Sequence, residues 1–182
     1  KYPEVTFDFH TGIASDVKER IENGLIDIGL LIEPVDISKY NFIKMPRREK
    51  WCVLLRKDSP LARKDHITAK DLVGIPLITA KRKSVQNELE NWFGEYYKKL
   101  TVIATSNVSY SNRSIMVANH MGAALVHEFD CMNDDVCLRP LYPEILNGSF
   151  LVWKKNQPNS VLIGTFIDFA KKCTAGMIND SI

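Results

Sequence analysis

The sequence predicts an α/β protein built from two lobes with a cleft between them. Strand-like and helix-like segments alternate in two blocks, residues 1–57 and 75–140, and a polar connector separates the blocks. A final strand and helix follow the second block. The apolar run at residues 25–32 is typical of a strand that is covered on both faces, as in a parallel sheet. A junction between two such lobes is a preferred place for a small ligand.

The composition is that of a globular protein and argues against several other classes. A chain of 182 residues suffices for one domain with a core or for two small lobes. The net charge of +2 is too small to indicate binding to nucleic acid or to a membrane surface. The sequence has no apolar run of about 18 residues, so we expect no transmembrane helix. Its first residues also lack the apolar region of a signal peptide.

The four cysteines indicate reduced thiols in a cytoplasmic protein, because none belongs to a CxxC pair and three lie in apolar or helical patterns. The alternative is a disulfide between Cys131 and Cys137, which flank an acidic turn.

The first block reads as strand, helix, strand. Alternation between residues 5 and 9 predicts a strand with one buried face, and apolar residues every four positions from Ile13 to Ile21 predict an amphipathic helix. The run at 25–32 is the second strand, so this unit is expected to be parallel and right-handed. Two extended segments follow, at residues 42–45 and 50–55.

The second block alternates in the same way. Thr68 is expected to cap a short helix and Ser84 to cap a longer one. The remaining predicted elements are strands at 76–79, 101–105, 123–126, 136–138 and 150–153, and helices at 85–96, 115–120 and 162–173.

Two strand-to-helix turns in the second block are candidate binding sites. The turn Lys81–Lys83 offers basic side chains and helix N–H groups, which favour a carboxylate or phosphate. The alternative is a basic turn that only faces solvent. The turn after residue 105 offers Ser106, Asn107 and Ser109, which can bond a polar ligand or simply cap the next helix. His127 ends a short strand and is either a titrating group or a satisfied buried one.

No motif indicates catalysis, a metal or a cofactor. The sequence lacks GxSxG, a Walker loop, GxGxxG and HExxH, and its histidines show no metal-ligand spacing. We therefore expect no catalytic residues, no metal site and no cofactor.

The chain resembles the effector-binding (regulatory) domain of LysR-type transcriptional regulators. The similarity is carried by segments that occur in the family's order and cover nearly the whole chain. They are YPEVTFDFHTG (2–12), ENGLIDIGLLIEP (22–34), WCVLLRKDSPLA (51–62), ITAKDLVGIPLI (67–78), TSNVSYSNRSIMVANHMGAALVHE (105–128) and LVWKKNQPNSVLIGTFIDFAKK (151–172).

The resemblance implies two Rossmann-like lobes arranged as in type II periplasmic binding proteins, with a small-molecule effector between them. Lobe I would comprise residues 1–57 and 149–182, and lobe II residues 58–148. By position, the family places an effector against a set of strand-end residues. These are Thr11, Gly12 and Ile13 in lobe I, Ile32 and Glu33 at the end of the central strand, and Thr79, Ala80 and Arg82 in lobe II.

The resemblance departs from the family at Ile32, where some relatives have a basic residue that pairs with an acidic effector. Glu33 would instead bind an amine or face solvent. If the effector is an anion, lobe II should therefore hold the charge.

The resemblance also implies a homodimer or homotetramer, no membrane contact, and DNA binding only through an N-terminal winged helix-turn-helix. That domain, and the first strand and most of the first helix of lobe I, are expected upstream of Lys1. The alternative function is a free-standing solute-binding protein of the same fold.

Overall fold

The computed structural model describes residues 2–107, 110–128, 133–155 and 160–179. The chain forms two compact units. Unit 1 contains residues 1–31, 35–46 and 150–182, and unit 2 contains residues 32–34 and 47–149. The predicted α/β class is confirmed, since each unit combines a sheet with helices.

The division differs from the expected lobes, in which residues 47–57 belonged to lobe I. These residues form strand β3 (Glu49–Arg56), which pairs with three strands of unit 2 and so belongs to the sheet of that unit. Local alternation of strands and helices cannot show this, because it does not reveal which sheet a strand joins.

Unit 1 is a three-stranded sheet with helices. Its elements are α1 (Ala14–Glu22), β1 (Gly29–Ile32), β2 (Tyr40–Lys44), β9 (Ser149–Lys154) and the last helix α4 (Val161–Asn179). Helix α1 leads to β1 through Gly24, whose φ of 68° suits glycine. The sheet order is β1-β9-β2, and β2 is antiparallel to β9. Its core consists of Val17, Ile21, Leu31, Tyr40, Phe150 and Val152.

Two predictions for unit 1 are wrong. Residues 5–9 form no strand, and Phe7 and Phe9 are 62% and 87% exposed, because no described strand pairs with this segment. The run at residues 25–32 is not covered on both faces. Only its last four residues form a strand, in which Leu31 is buried while Leu30 is 56% exposed.

Besides β3, the strands of unit 2 are β4 (Pro76–Ala80), β5 (Thr101–Ser106), β6 (Ala123–His127), β7 (Val136–Pro140) and β8 (Leu146–Asn147), and its α-helices are α2 (Lys83–Phe93) and α3 (Tyr110–Ala118). They form a mixed sheet with the order β5-β4-β6-β3-β7, and β8 pairs with β3. The parallel part is confirmed for β5-β4-β6, whereas β3 is antiparallel to β6 and β7. Short 3₁₀ helices cover Pro60–Arg63, Ala69–Leu72 and Gly94–Lys99.

Strands β3 and β6 are covered on both faces, and alternate residues of each belong to the same two core clusters. Trp51, Val53 and Leu55 pack with Val85, Leu89 and Phe93 of α2 on one face. Cys52 and Leu54 pack with Val117 of α3 on the other. The alternation follows from the two-residue period of a strand.

The described cysteines Cys52, Cys137 and Cys173 are free thiols. Burial raises the pKa of Cys52 to about 12, so this thiol stays protonated. Cys131, the other member of the alternative disulfide, lies outside the described residues. Among the described helices, none combines the length and the apolar character needed to cross a bilayer.

Candidate functional site

Three parallel strands of unit 2 end at the same edge of the sheet. The register pairs Ala80 of β4 with Ser106 of β5 and Leu77 of β4 with Ala123 of β6, so the ends of β4, β5 and β6 are neighbours. Lys81 N–H also donates to the Ser106 carbonyl over 3.3 Å. In open α/β sheets, ligands bind beyond the carboxyl ends of parallel strands. This edge is therefore where the polar residues after the strands can act together.

Arg82 supplies positive charge at this edge. Its side chain is half-buried, and Nη2 donates a long bond of 3.5 Å to the Ile32 carbonyl. No carboxylate of the described residues forms an ion pair with its guanidinium. Burial lowers the pKa of Arg82 and the charge of Glu88 raises it, but an arginine remains protonated near neutral pH. Arg82 is therefore a partly desolvated cation that can receive an anion.

The segment Ile32–Pro34 contacts the start of α2. Ser84 Oγ donates to the Pro34 carbonyl over 3.3 Å, and Ser84 lies inside the helix, so the prediction that Ser84 is its cap is wrong. The N-cap is Arg82. Ile32 offers its backbone carbonyl rather than a polar side chain.

The Glu33 carboxylate has a partner within unit 2. Gly148 N–H donates to Glu33 Oε2 over 2.6 Å, while Glu33 N–H donates to the Gly148 carbonyl over 3.0 Å. A side chain at position 148 would crowd this contact, because an added Cβ would lie 2.9 Å from Oε2. Glu33 thus joins two segments of unit 2, a role that the sequence does not reveal.

Ser106 is held by a buried arginine that the sequence analysis missed. Arg113 of α3 donates from Nε to Ser106 Oγ over 3.2 Å and from Nη2 to the Ser106 carbonyl over 3.0 Å. Because Ser106 Oγ accepts from Arg113, its own proton can be given to a ligand. The predicted helix starts at residue 115, whereas α3 begins at Tyr110, so the sequence pattern gives no signal that Arg113 lies on this helix. Asn107 follows as an exposed residue, and Ser109 lies outside the described residues.

Thr79 and Ala80 are the last two residues of β4 and have different surroundings. The Ala80 carbonyl accepts from Gln86 Nε2 over 3.1 Å, which ties α2 to the strand. Thr79 shares the face of Leu77, because side chains alternate along a strand, and it is 8% exposed. Thr79 therefore faces the layer of α2.

His127 belongs to a buried polar chain rather than to an open edge. Asn147 Nδ2 donates to Glu88 Oε1 over 2.6 Å, so Asn147 Oδ1 faces His127 Nε2 at 2.9 Å and receives its proton. Trp51 Nε1 donates to Glu88 Oε2 over 3.2 Å, and the rings of Trp51 and His127 lie 4.3 Å apart. Burial lowers the pKa of His127, although the Asn147 bond raises it, which favours the neutral ring.

The predicted residues of unit 1 lie before α1. Thr11, Gly12 and Ile13 are exposed, and Ile13 is the N-cap without a side-chain bond. An added Cβ at Gly12 would clash with the carboxylate of Asp16, which His10 Nε2 contacts at 2.6 Å. In unit 2 the structure brings together Ile32, Ala80, Arg82 and Ser106.

Within the described residues, no group of three or more His, Cys, Asp or Glu side chains is placed to hold a metal ion. The polar groups at the strand ends are a cation, hydroxyls and backbone groups, which suit binding by charge and hydrogen bonds.

The comparisons with known proteins identify the family. The family model described as the LysR substrate binding domain matches residues 1–174, so the chain belongs to this family. It is 28% identical over 179 residues to the uncharacterized HTH-type transcriptional regulator YvbU of Bacillus subtilis (strain 168), covering 94% of this chain and 59% of the relative. The chain spans 56% to 59% of the length of the curated relatives that it matches.

Solved structures show the same fold. The effector binding domain of QuiR in complex with shikimate aligns with a TM-score of 0.81 at 17% identity, over 96% of this chain and 84% of that one. The CcmR regulatory domain of Synechocystis PCC6803 in complex with 2-PG aligns with a TM-score of 0.74 at 19% identity, over 95% of this chain and 85% of that one. The resemblance to LysR-type regulatory domains and the periplasmic-binding-protein-like fold are confirmed. The family supports the regulator over a free-standing solute-binding protein.

Proposed function

We propose that this regulatory domain binds a small anionic effector and that Arg82 binds the negative charge. The observation that carries the proposal is the half-buried guanidinium, which donates one long bond to Ile32 and has no ion-pair partner among the described residues. A partly desolvated arginine forms stronger and better-oriented bonds to a carboxylate than an exposed lysine does.

The neutral groups of the effector are bound by the neighbouring strand end. Ser106 has a proton to donate because Arg113 occupies its oxygen, and Asn107 adds an amide beside it. Thr11, Gly12 and Ile13 of unit 1 remain part of the proposed set, as does Ser109. The shikimate that QuiR binds carries a carboxylate and hydroxyls, and this combination suits an arginine beside a serine and an asparagine.

The proposed effector acts by differential affinity for two states of a regulator. A ligand shifts such an equilibrium only by as much as it prefers one state. We propose that the domain works in a cytoplasmic homodimer or homotetramer, and that a helix-turn-helix domain of the same protein binds DNA. The domain itself has no catalytic role in this proposal.

A thermal-shift screen tests the anion. The full-length protein is heated with small carboxylates, shikimate among them, and with the neutral amide of each acid. A ligand present at 100 times its Kd stabilises by about 2.7 kcal/mol. We expect at least one carboxylate to raise the Tm while its amide does not.

Two variants locate the charge. Arg82→Ala and Lys83→Ala remove the same charge from adjacent positions, but Lys83 is exposed. Losing a charge-assisted bond weakens binding by about tenfold to a hundredfold. Arg82→Ala should therefore abolish the Tm increase and Lys83→Ala should retain it. Equal effects of the two variants, or stabilisation by amides alone, would contradict the proposal.

A further inference from the structure

Unit 2 contains a cavity between helix α2 and the sheet. Its volume is about 190 Å³, and its walls include Leu89 and Phe93 of α2, Leu77 of β4 and Leu125 of β6. These four side chains are at most 2% exposed, so the cavity reaches the main core of the unit. An apolar cavity of about 150 Å³ lined by Leu, Ile and Phe is large enough to bind benzene. The cavity in unit 2 therefore has room for one six-membered ring with a substituent.

Thr79 places a hydroxyl in this apolar wall. Thr79 is 8% exposed and lines the cavity, and no hydrogen bond is made by its side chain to any described residue. No fully buried side-chain polar atom among the described residues lacks a partner, so the Thr79 oxygen retains some accessible surface. A hydroxyl in an apolar wall favours a ligand that brings its own hydrogen-bonding group.

Gln86 lies beside Thr79 in the cavity wall. Its Nε2 is occupied by the Ala80 carbonyl, which orients the amide and leaves the oxygen as an acceptor. Tyr97 and Thr105 also line the cavity and carry hydroxyls, so its polar side chains are all neutral. The charged residues Arg82 and Glu88 are not among the lining residues.

The cavity can be entered from the edge of the sheet. Val102 lies on β5, the edge strand, lines the cavity, and is 46% exposed. Thr105, three residues further along β5, also lines the cavity and is exposed. A small ring can reach the interior by displacing these side chains rather than by unfolding the core.

We propose that this cavity is a second ligand site, which binds a small uncharged ring compound with one hydroxyl, of the phenol class. The ring fills the space against Leu89, Phe93 and Leu125, and the hydroxyl bonds to Thr79. The site goes beyond the anion position, because neither Arg82 nor Ser106 lines it.

The test is a titration of the full-length protein with phenol and with toluene, followed by the methyl NMR signals of Leu89 and Leu125. Both compounds should shift these signals in a saturable way, with phenol binding more tightly. Thr79→Val keeps the shape of the side chain and removes the hydroxyl. It should weaken the binding of phenol by about tenfold, which corresponds to the loss of one hydrogen bond, and should change the affinity for toluene by less than about twofold.

Two further variants separate this site from the anion position. Leu100 lines the cavity and is half-buried, so the larger side chain of Leu100→Phe can fill the cavity from its rim. This variant should bind both phenol and toluene more weakly. Arg82→Ala should leave both affinities unchanged even where it abolishes a carboxylate response. The proposal is overturned if neither compound gives saturable shifts, or if Thr79→Val weakens phenol and toluene equally.

Discussion

The side-chain amide of Asn147 donates to Glu88 Oε1 over 2.6 Å, which ties strand β8 to the middle of helix α2. The next residue, Gly148, is bonded to Glu33 in both directions. Helix α2 itself begins after Arg82, whose guanidinium reaches the Ile32 carbonyl. The helix that carries the proposed anion position is therefore hydrogen-bonded to the two segments of unit 2 that continue into unit 1.

Replacing Asn147 by leucine should destabilise the protein markedly. The change removes the bonds of Asn147, which is 3% exposed, to the buried His127 and the half-buried Glu88. Losing a partner inside the protein costs about 1–3 kcal/mol. We expect a loss of about 2–4 kcal/mol in the free energy of unfolding, measured in urea. Asn87→Leu is the control, since Asn87 is exposed on α2, the helix that carries Glu88. The same substitution there should cost at most about 0.5 kcal/mol. Similar losses for both variants would show that the hydrogen bonds of Asn147 to His127 and Glu88 contribute little to stability.

Stability should fall with acidification because of His127. Burial lowers the pKa of His127 from 6.5, so the folded protein binds this proton less tightly than the unfolded chain does. The contribution is complete above pH 6.5 and is lost as the pH falls toward the lowered pKa. Glu49 and Glu88 oppose the shift and Arg82 adds to it.

The measurement is the free energy of unfolding at about pH 7.5 and about pH 5.5 for the wild type and His127→Gln. The wild type should lose more stability across this interval than the variant, because only the wild type has the titrating ring. An equal or smaller loss in the wild type would show that His127 is not held in the neutral form.

Gly29→Ala should destabilise unit 1. An added Cβ would lie 2.7 Å from Val17 Cγ1 and 2.9 Å from Ile21 Cδ1, so α1 would have to move away from β1. Overpacking of this kind costs about 1–3 kcal/mol, which thermal or urea unfolding can measure. Gly164→Ala is the matched control, because its Cβ would meet no atom within 4 Å and alanine favours the helix. Equal free energies of unfolding for Gly29→Ala and Gly164→Ala would contradict the close packing of α1 on β1.

The sequence predicts the strand-end turns of unit 2 well, because glycine, proline and polar residues mark the ends of β4 and β5 and the starts of the helices that follow them. It does not predict which residues act there through tertiary contacts. Arg113 precedes the predicted helix at 115–120, and only the fold reveals that it lies on α3 and is buried against Ser106. Glu33 likewise reads as an exposed strand end until Gly148 is placed beside it.

Strand alternation is the least reliable guide in unit 1. Residues 5–9 alternate as a strand does, yet Phe7 stacks on Phe9 and contacts Phe166, with ring centroids 6.1 and 6.0 Å apart. The apolar run at 25–32 predicts a doubly covered strand, but this environment belongs to β3 and β6. Both errors arise because a pattern records which residues are apolar and not which surface covers them.

The most direct test of an anionic effector at Arg82 is a crystal structure of the protein with the carboxylate that raises the Tm most. We predict that the carboxylate oxygens lie within hydrogen-bonding distance of the Arg82 guanidinium, at about 2.7–2.9 Å, with Ser106 Oγ donating to another polar group of the ligand. A bound carboxylate that leaves Arg82 in its bond to the Ile32 carbonyl and contacts other cationic groups would contradict the assignment.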